Sequence, residues 1–189
     1  MKQIIQEILN TSIQVKKESI ETHIQSLEKC AQKMSECLTS GHKILIFGNG
    51  GSAADAQHIA AEFVNRFQIE RPPLAAIALT TDTSILTSIG NDYDFNDIFL
   101  KQIKAIGKKH DIAWGISTSG NSANVVAALS VAKEMGLTTI GMTGEGGGKT
   151  AGHSDILLPV NSRITARIQE THITMAHILC DLVDRILFP

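Results

Sequence analysis

Residues 43–62 read KILIFGNGGSAADAQHIAAE: an apolar run, a turn dense in glycine, then a stretch mixing alanines with amides and titratable groups. The run at 43–48 is of strand length. Its apolar residues follow one another instead of alternating with polar ones, which predicts a strand buried on both faces. The glycines turn the chain into a helix, so the unit is strand, loop, helix. Further runs of the same kind follow at 74–79 (LAAIAL), 112–117 (IAWGIS), 138–143 (TTIGMT) and 155–160 (DILLPV). Helical patterns separate them at about 52–67, 84–106 (with a break expected near Gly90) and 122–135, and a strongly periodic helix closes the chain at about 163–187. Such alternation indicates an α/β fold, a parallel sheet covered by helices on both faces. In an open sheet of this kind ligands sit beyond the carboxyl ends of the strands, which directs attention to the loops after the first and third.

Ahead of the first strand, apolar residues from Ile4 to about Leu38 recur at three- and four-residue steps with no Pro or Gly between them. One or two long amphipathic helices are expected there, suited to packing on the core and on other copies of the chain. The length of 189 residues fits one domain, with residues 1–40 as its helical segment. A net charge of −2 leaves no basic footprint for a nucleic-acid backbone, and 4% aromatic content leaves little for base stacking. Cys30, Cys37 and Cys180 are odd in number and lack CxxC spacing, so buried thiols are expected and not disulfides or a thiolate metal site. The opening MKQIIQEILN has no leader-like apolar segment, and no stretch approaches the ~20 apolar residues of a membrane span. A cytoplasmic protein with neither membrane nor nucleic-acid partner is the expectation.

Two loops have the composition of anion cradles. Gly48-Asn49-Gly50-Gly51-Ser52 joins a strand to a helix; its glycines let the backbone approach a ligand, and Ser52 is the expected helix N-cap. Ser117-Thr118-Ser119-Gly120-Asn121-Ser122 presents four hydroxyls where one cap needs one, which favours phosphate. Two look-alikes fail. Gly48-x-Gly50-x-x-Ala53 lacks the acidic residue a dinucleotide fold places about 20 positions on, and Gly148-Lys149-Thr150 follows Thr143 where a P-loop needs glycine. A nucleotide cofactor is therefore not expected, and residues 144–148 (GEGGG) read as a flexible loop.

On the helix after the first loop, His58 and Glu62 stand four residues apart on one face, with Arg66 extending that face by a cation. An imidazole and a carboxylate so placed can bind a metal or work as a base and its partner. The terminal helix carries Gln169, His172 and His177. The two histidines differ by about 140° around the helix, so they serve different faces; Gln169 and His177 differ by about 80° but are ~12 Å apart along the axis. A site using both needs converging side chains or two chains.

With GNGGSAADAQHIAAE, SIGNDYDFNDIF, ISTSGNSANVV and RIQETHITMAH in order along nearly the whole chain, the sequence closely resembles the phosphoheptose isomerases of the sugar-isomerase (SIS) domain superfamily. The resemblance implies a three-layer sandwich on a five-stranded parallel sheet of flavodoxin-like topology and a homotetramer with active sites between subunits. It implies conversion of D-sedoheptulose 7-phosphate to D-glycero-D-manno-heptose 7-phosphate through an enediol, for bacterial lipopolysaccharide or capsule. By motif, Glu62 matches the family's catalytic base and His177 its catalytic histidine, and His58, Glu62, Gln169 and His177 match a zinc site, one Zn2+ per subunit. Substrate contacts are implied for Asn49, Gly50, Gly51, Ser52, Glu62, Arg66, Asn91, Asp92, Ser117, Thr118, Ser119, Ser122 and Gln169. Ala166 stands where some members carry an acid. The competing reading is a non-catalytic SIS-domain adaptor of DNA-replication initiation, whose members lack the glutamate and histidine found here at 62 and 177.

Overall fold

In the computed structural model, which describes residues 1–189, the five apolar runs form β1 (Ile44–Gly48), β2 (Ala76–Ala78), β3 (Ile112–Ser117), β4 (Thr138–Thr143) and β5 (Ile156–Pro159). All pair in parallel in the order β2-β1-β3-β4-β5. The chain leaves β1 for β2 on one side and returns to β3 on the other, so strand order reverses at β1 and opens a crevice above the β1 and β3 ends. The helices are α1 (Lys2–Thr22), α2 (Ile24–Thr39), α3 (Gly51–Val64), α4 (Thr83–Asp92), α5 (Leu100–Ile106), α6 (Ala123–Glu134) and α7 (Thr165–Leu187).

Alternate residues of each central strand feed opposite layers. Ile44, Ile46, Trp114 and Met142 pack with apolar side chains of α2, α3 and α7, while Leu45, Phe47 and Ala113 pack with those of α5 and α6. Cys30, Cys37 and Cys180 are free and buried, as their spacing predicted. No helix is long and apolar enough to cross a membrane. The segment before β1 is two helices, parted at His23 (φ −114°, ψ 19°). On α1 the residues Ile4, Ile5, Ile8, Leu9 and Ile13 are each at least half exposed, an apolar stripe uncovered by the rest of the chain.

Three local expectations are corrected. The helix expected over 84–106 does not break at Gly90, which lies inside α4. It breaks at Tyr93, where the backbone leaves helical angles and the Asp94 carboxylate accepts the Asn96 N–H (2.7 Å), starting a 3-10 turn at Phe95–Asp97. Helix α3 stops at Val64, short of Arg66.

Residues 144–148 are not a slack loop. Gly146, Gly147 and Gly148 all have positive φ and lead into a 3-10 turn at Gly148–His153. Gly144 N–H donates to Thr118 O (3.0 Å), Thr150 N–H to Gly120 O (2.9 Å) and Lys149 N–H to Asn121 Oδ1 (3.0 Å). The glycine-rich turn braces the hydroxyl loop from below.

Gly120 is the tightest point of that brace: its φ is +66°, and a Cβ would lie 2.3 Å from Gly147 O. The Gly120→Ala variant is expected to lose roughly 2 kcal/mol or more of stability, from left-handed strain together with a backbone clash that cannot relax by a rotamer change. Urea unfolding followed through the single, fully buried Trp114 measures this.

Candidate active site

The β1–α3 loop is shaped by glycine at two points. Gly50 starts α3 at φ +55°, and a Cβ on Gly51 would lie 2.3 Å from Gln169 Nε2. Bare backbone at Gly51 therefore lets α7 close onto the first turn of α3. Ser52 is not the N-cap: Gly50 is, with no side-chain cap, and Ser52 is buried in the first turn, its N–H donating to Asn49 O (3.0 Å). Asn49 instead reaches sideways. Its amide exchanges two hydrogen bonds of 2.9 Å with Asn124, which is buried in the first turn of α6 and also accepts the Val125 N–H. That pair ties the loop after β1 to the loop after β3.

In the second loop Ser117 Oγ lies 2.9 Å from Ser122 Oγ and 3.5 Å from Ser119 Oγ, and Asn121 N–H donates to Ser119 Oγ (3.1 Å). Thr118 and Ser119 line a cavity of about 240 Å3 with Ser162, Arg163, Thr165 and Glu145. Three of the hydroxyls expected to grip an anion, those of Ser117, Ser119 and Ser122, are thus gathered together, while Thr118 and Ser119 open to the cavity.

Further along α3 the titratable residues meet. His58 Nε2 is 2.9 Å from His177 Nε2 on α7 and 3.4 Å from Glu62 Oε1, and the Phe67 ring lies over His177 with centroids 5.3 Å apart. At 2.9 Å one ring nitrogen donates its N–H to the lone pair of the other, a pairing that two neutral imidazoles of suitable tautomer can make. Asp55 borders the same cluster. Burial pushes its carboxyl up, while the nearby His58 and His177 pull it back down. Sequence reasoning missed Asp55, Phe67 and Asn124. The first stands at i−3 from His58, a spacing that could have found it; the other two are brought in only by packing.

The remaining candidates lie apart from this cluster. Arg66, beyond the end of α3, is half exposed and faces Glu70 (3.5 Å). Asn91 and Asp92 hydrogen-bond to each other (2.8 Å) at the exposed end of α4. Gln169 packs over Gly51 while His177 meets His58, so the two contacts are seven or eight residues apart, ~10–12 Å of helix rise. The Gln169 and His177 contacts therefore sit at two levels of the interface between α3 and α7.

Comparison with known proteins gives the family. The SIS-domain family profile matches residues 9–144. A phosphoheptose isomerase of Nitratidesulfovibrio vulgaris is 63% identical over 158 residues, covering 84% of this chain and 76% of that protein. One from Shewanella loihica is 52% identical over 188 residues, covering 98% and 95%. The solved structure of the phosphoheptose isomerase from Neisseria gonorrhoeae superposes with a TM-score of 0.92 at 46% identity, covering 97% of this chain and 98% of that one. The chain belongs to the phosphoheptose isomerases of the SIS-domain superfamily. It is an enzyme, and the adaptor alternative falls with that assignment.

For this phosphoheptose isomerase family member, a zinc ion is tested by the donors present. Two imidazoles and a carboxylate are donors zinc accepts, and His58, His177 and Glu62 bring them to neighbouring positions. No group of three or more His, Cys, Asp or Glu side chains is closed around one point in the single chain. The chemistry of the set fits; the closure needs a small convergence of the three side chains.

His172, a face away on α7, belongs to the core. It is 1% exposed, its Nε2 contacts Thr143 O (3.0 Å), and burial pushes its imidazole down from 6.5 to about 4. A lowered imidazole is neutral in the folded state, so its contribution to stability is complete above pH 6.5 and is lost as pH falls toward 4. The drop corresponds to roughly 3 kcal/mol. Unfolding free energies from pH 7 to 4 should show this slope in the wild type and lack it in His172→Gln.

Proposed function

We propose that the chain interconverts D-sedoheptulose 7-phosphate and D-glycero-D-manno-heptose 7-phosphate, supplying heptose for a bacterial lipopolysaccharide or capsule. The observation that carries this reading is the meeting of Glu62 and His177 at His58, from two different helices, one of which opens at the glycine loop.

Moving a carbonyl between adjacent carbons requires a base to take a carbon-bound proton and return it to the neighbouring carbon, and an acid to shuttle a proton between the two oxygens. Glu62, one-fifth exposed, takes the carbon-bound proton and leaves an enediolate. His177, packed against Phe67, donates to and accepts from the sugar oxygens. Ser117, Thr118, Ser119 and Ser122 hold the phosphate; binding energy gathered at that remote end orients the reacting carbons. Asn49, Gly50, Gly51 and Ser52 line the sugar path with backbone and amide donors, and Gln169, lying over Gly51, adds an amide. Arg66, Asn91 and Asp92 are assigned to the rim. Oxidation at one carbon balances reduction at the next, so the reaction itself calls for no nucleotide cofactor.

A Zn2+ ion is assigned to His58, Glu62 and His177, where it would act as a Lewis acid on the carbonyl. The uncovered apolar stripe of α1 supports assembly into a homotetramer, with substrate sites shared between cytoplasmic subunits.

Purified protein incubated with sedoheptulose 7-phosphate is expected to form the aldose, observable by NMR. Glu62→Gln should lower kcat by about 10²–10⁴-fold while leaving the fold intact; full turnover in that variant removes the base from this scheme. Treatment with a chelator is expected to abolish turnover and added Zn2+ to restore it, whereas unchanged rates throughout would remove the metal.

A further inference from the structure

Helix α3 ends one turn after its functional face. Its last carbonyls need partners, and its C-cap, Asn65, returns only one backbone hydrogen bond, to Ala61 O. Of the others, Glu62 O and Phe63 O are taken by a side chain from the following loop, Phe63 O also accepting the Leu74 N–H (3.1 Å). Arg71 Nη2 donates to Glu62 O (2.8 Å), and Nη1 donates to Phe63 O (2.8 Å), Pro72 O (3.1 Å) and Asn65 O (3.4 Å). Its Nε donates to Asp184 Oδ1 on α7 (2.7 Å). The two side chains are 1% and 4% exposed.

This arrangement is unusual for a device that only stabilises. Asp184 Oδ2 is buried without a hydrogen-bond partner, and a buried ion pair is often matched or bettered by apolar residues of similar volume. What the pair does hold is position. One guanidinium fork caps the turn that carries Glu62 and, through Asp184, grips α7 two turns beyond His177. Ends of helices fray, and a carboxylate on the last turn of α3 is held at His58 only while that turn stays wound.

We infer that Arg71, with Asp184, is a positioning residue for the Glu62–His58–His177 cluster, fixing the last turn of α3 against α7. This rests on the isomerase reading for its catalytic consequence but not for its structural one. Lysine preserves the charge at position 71 and cannot span Glu62 O, Phe63 O and Asp184 at once.

The test compares wild type, Arg71→Lys and the paired Arg71→Met/Asp184→Leu variant, with Arg71→Met as the stability reference, each assayed with sedoheptulose 7-phosphate below its own unfolding transition as read by Trp114 fluorescence. Both variants should lose about ten- to hundredfold in kcat with KM within about twofold of wild type, because a misplaced base impairs the chemical step more than binding. The paired variant should be more stable than Arg71→Met alone, since it leaves no uncompensated carboxylate, yet its kcat should not recover. A kcat within twofold of wild type in Arg71→Lys, or a kcat that returns with stability in the paired variant, overturns the inference.

A second readout does not depend on turnover. The imidazole nitrogen signals of His58 and His177 in 15N-labelled protein, identified by their loss in His58→Gln and His177→Gln, should shift in Arg71→Lys. Unshifted signals overturn the inference. Wild-type protein that fails to act on the sugar phosphate overturns the isomerase reading, and the histidine signals then decide the role of Arg71 by themselves.

Discussion

Helices α3 and α7 run side by side in the same direction, and at Gly51 they meet so tightly that a Cβ would strike the Gln169 amide. That contact sets the register of the pair: with Gly51 against Gln169, His58 falls against His177 about two turns later. The two imidazoles and Glu62 meet because backbone, and not a side chain, occupies the first level of the interface.

The sheet places the rest. Reversal of strand order at β1 puts the β1–α3 and β3–α6 loops next to each other, and the reciprocal Asn49–Asn124 amide pair joins them. Beside the hydroxyl loop, Gly144, Lys149 and Thr150 of the turn at 144–150 donate backbone hydrogen bonds to Thr118, Asn121 and Gly120. A phosphate grip built from neutral hydroxyls gains from such rigidity, because donors already aimed at one point need no ordering when the ligand arrives.

Burial separates the histidines by role. His172 is enclosed in the core with its imidazole pushed down to about 4, while His177, one helix face away, is only partly covered and meets the other titratable groups. At the far end of α3 the buried Arg71–Asp184 pair joins the same two helices that Gly51 and Gln169 join at the near end. The cluster between them is clamped from both sides.

Much of this was legible in the chain. Apolar runs separated by helical patterns determined the parallel α/β class, since strands buried on both faces leave no other economical packing. The hydroxyl excess at 117–122 pointed to a cluster, and Ser117, Ser119 and Ser122 do gather there; the i,i+4 spacing of His58 and Glu62 placed both on one face. The 140° offset correctly parted His172 from His177. Tertiary structure alone decided which residues meet across helices: that His58 faces His177, that Gln169 packs at Gly51, that Arg66 lies past the end of α3, and that the turn at 144–150 is hydrogen-bonded to the hydroxyl loop. Periodicity along one segment reports the direction a side chain takes around its own axis. It carries no information on the register between two helices, which is set by where their backbones can approach most closely.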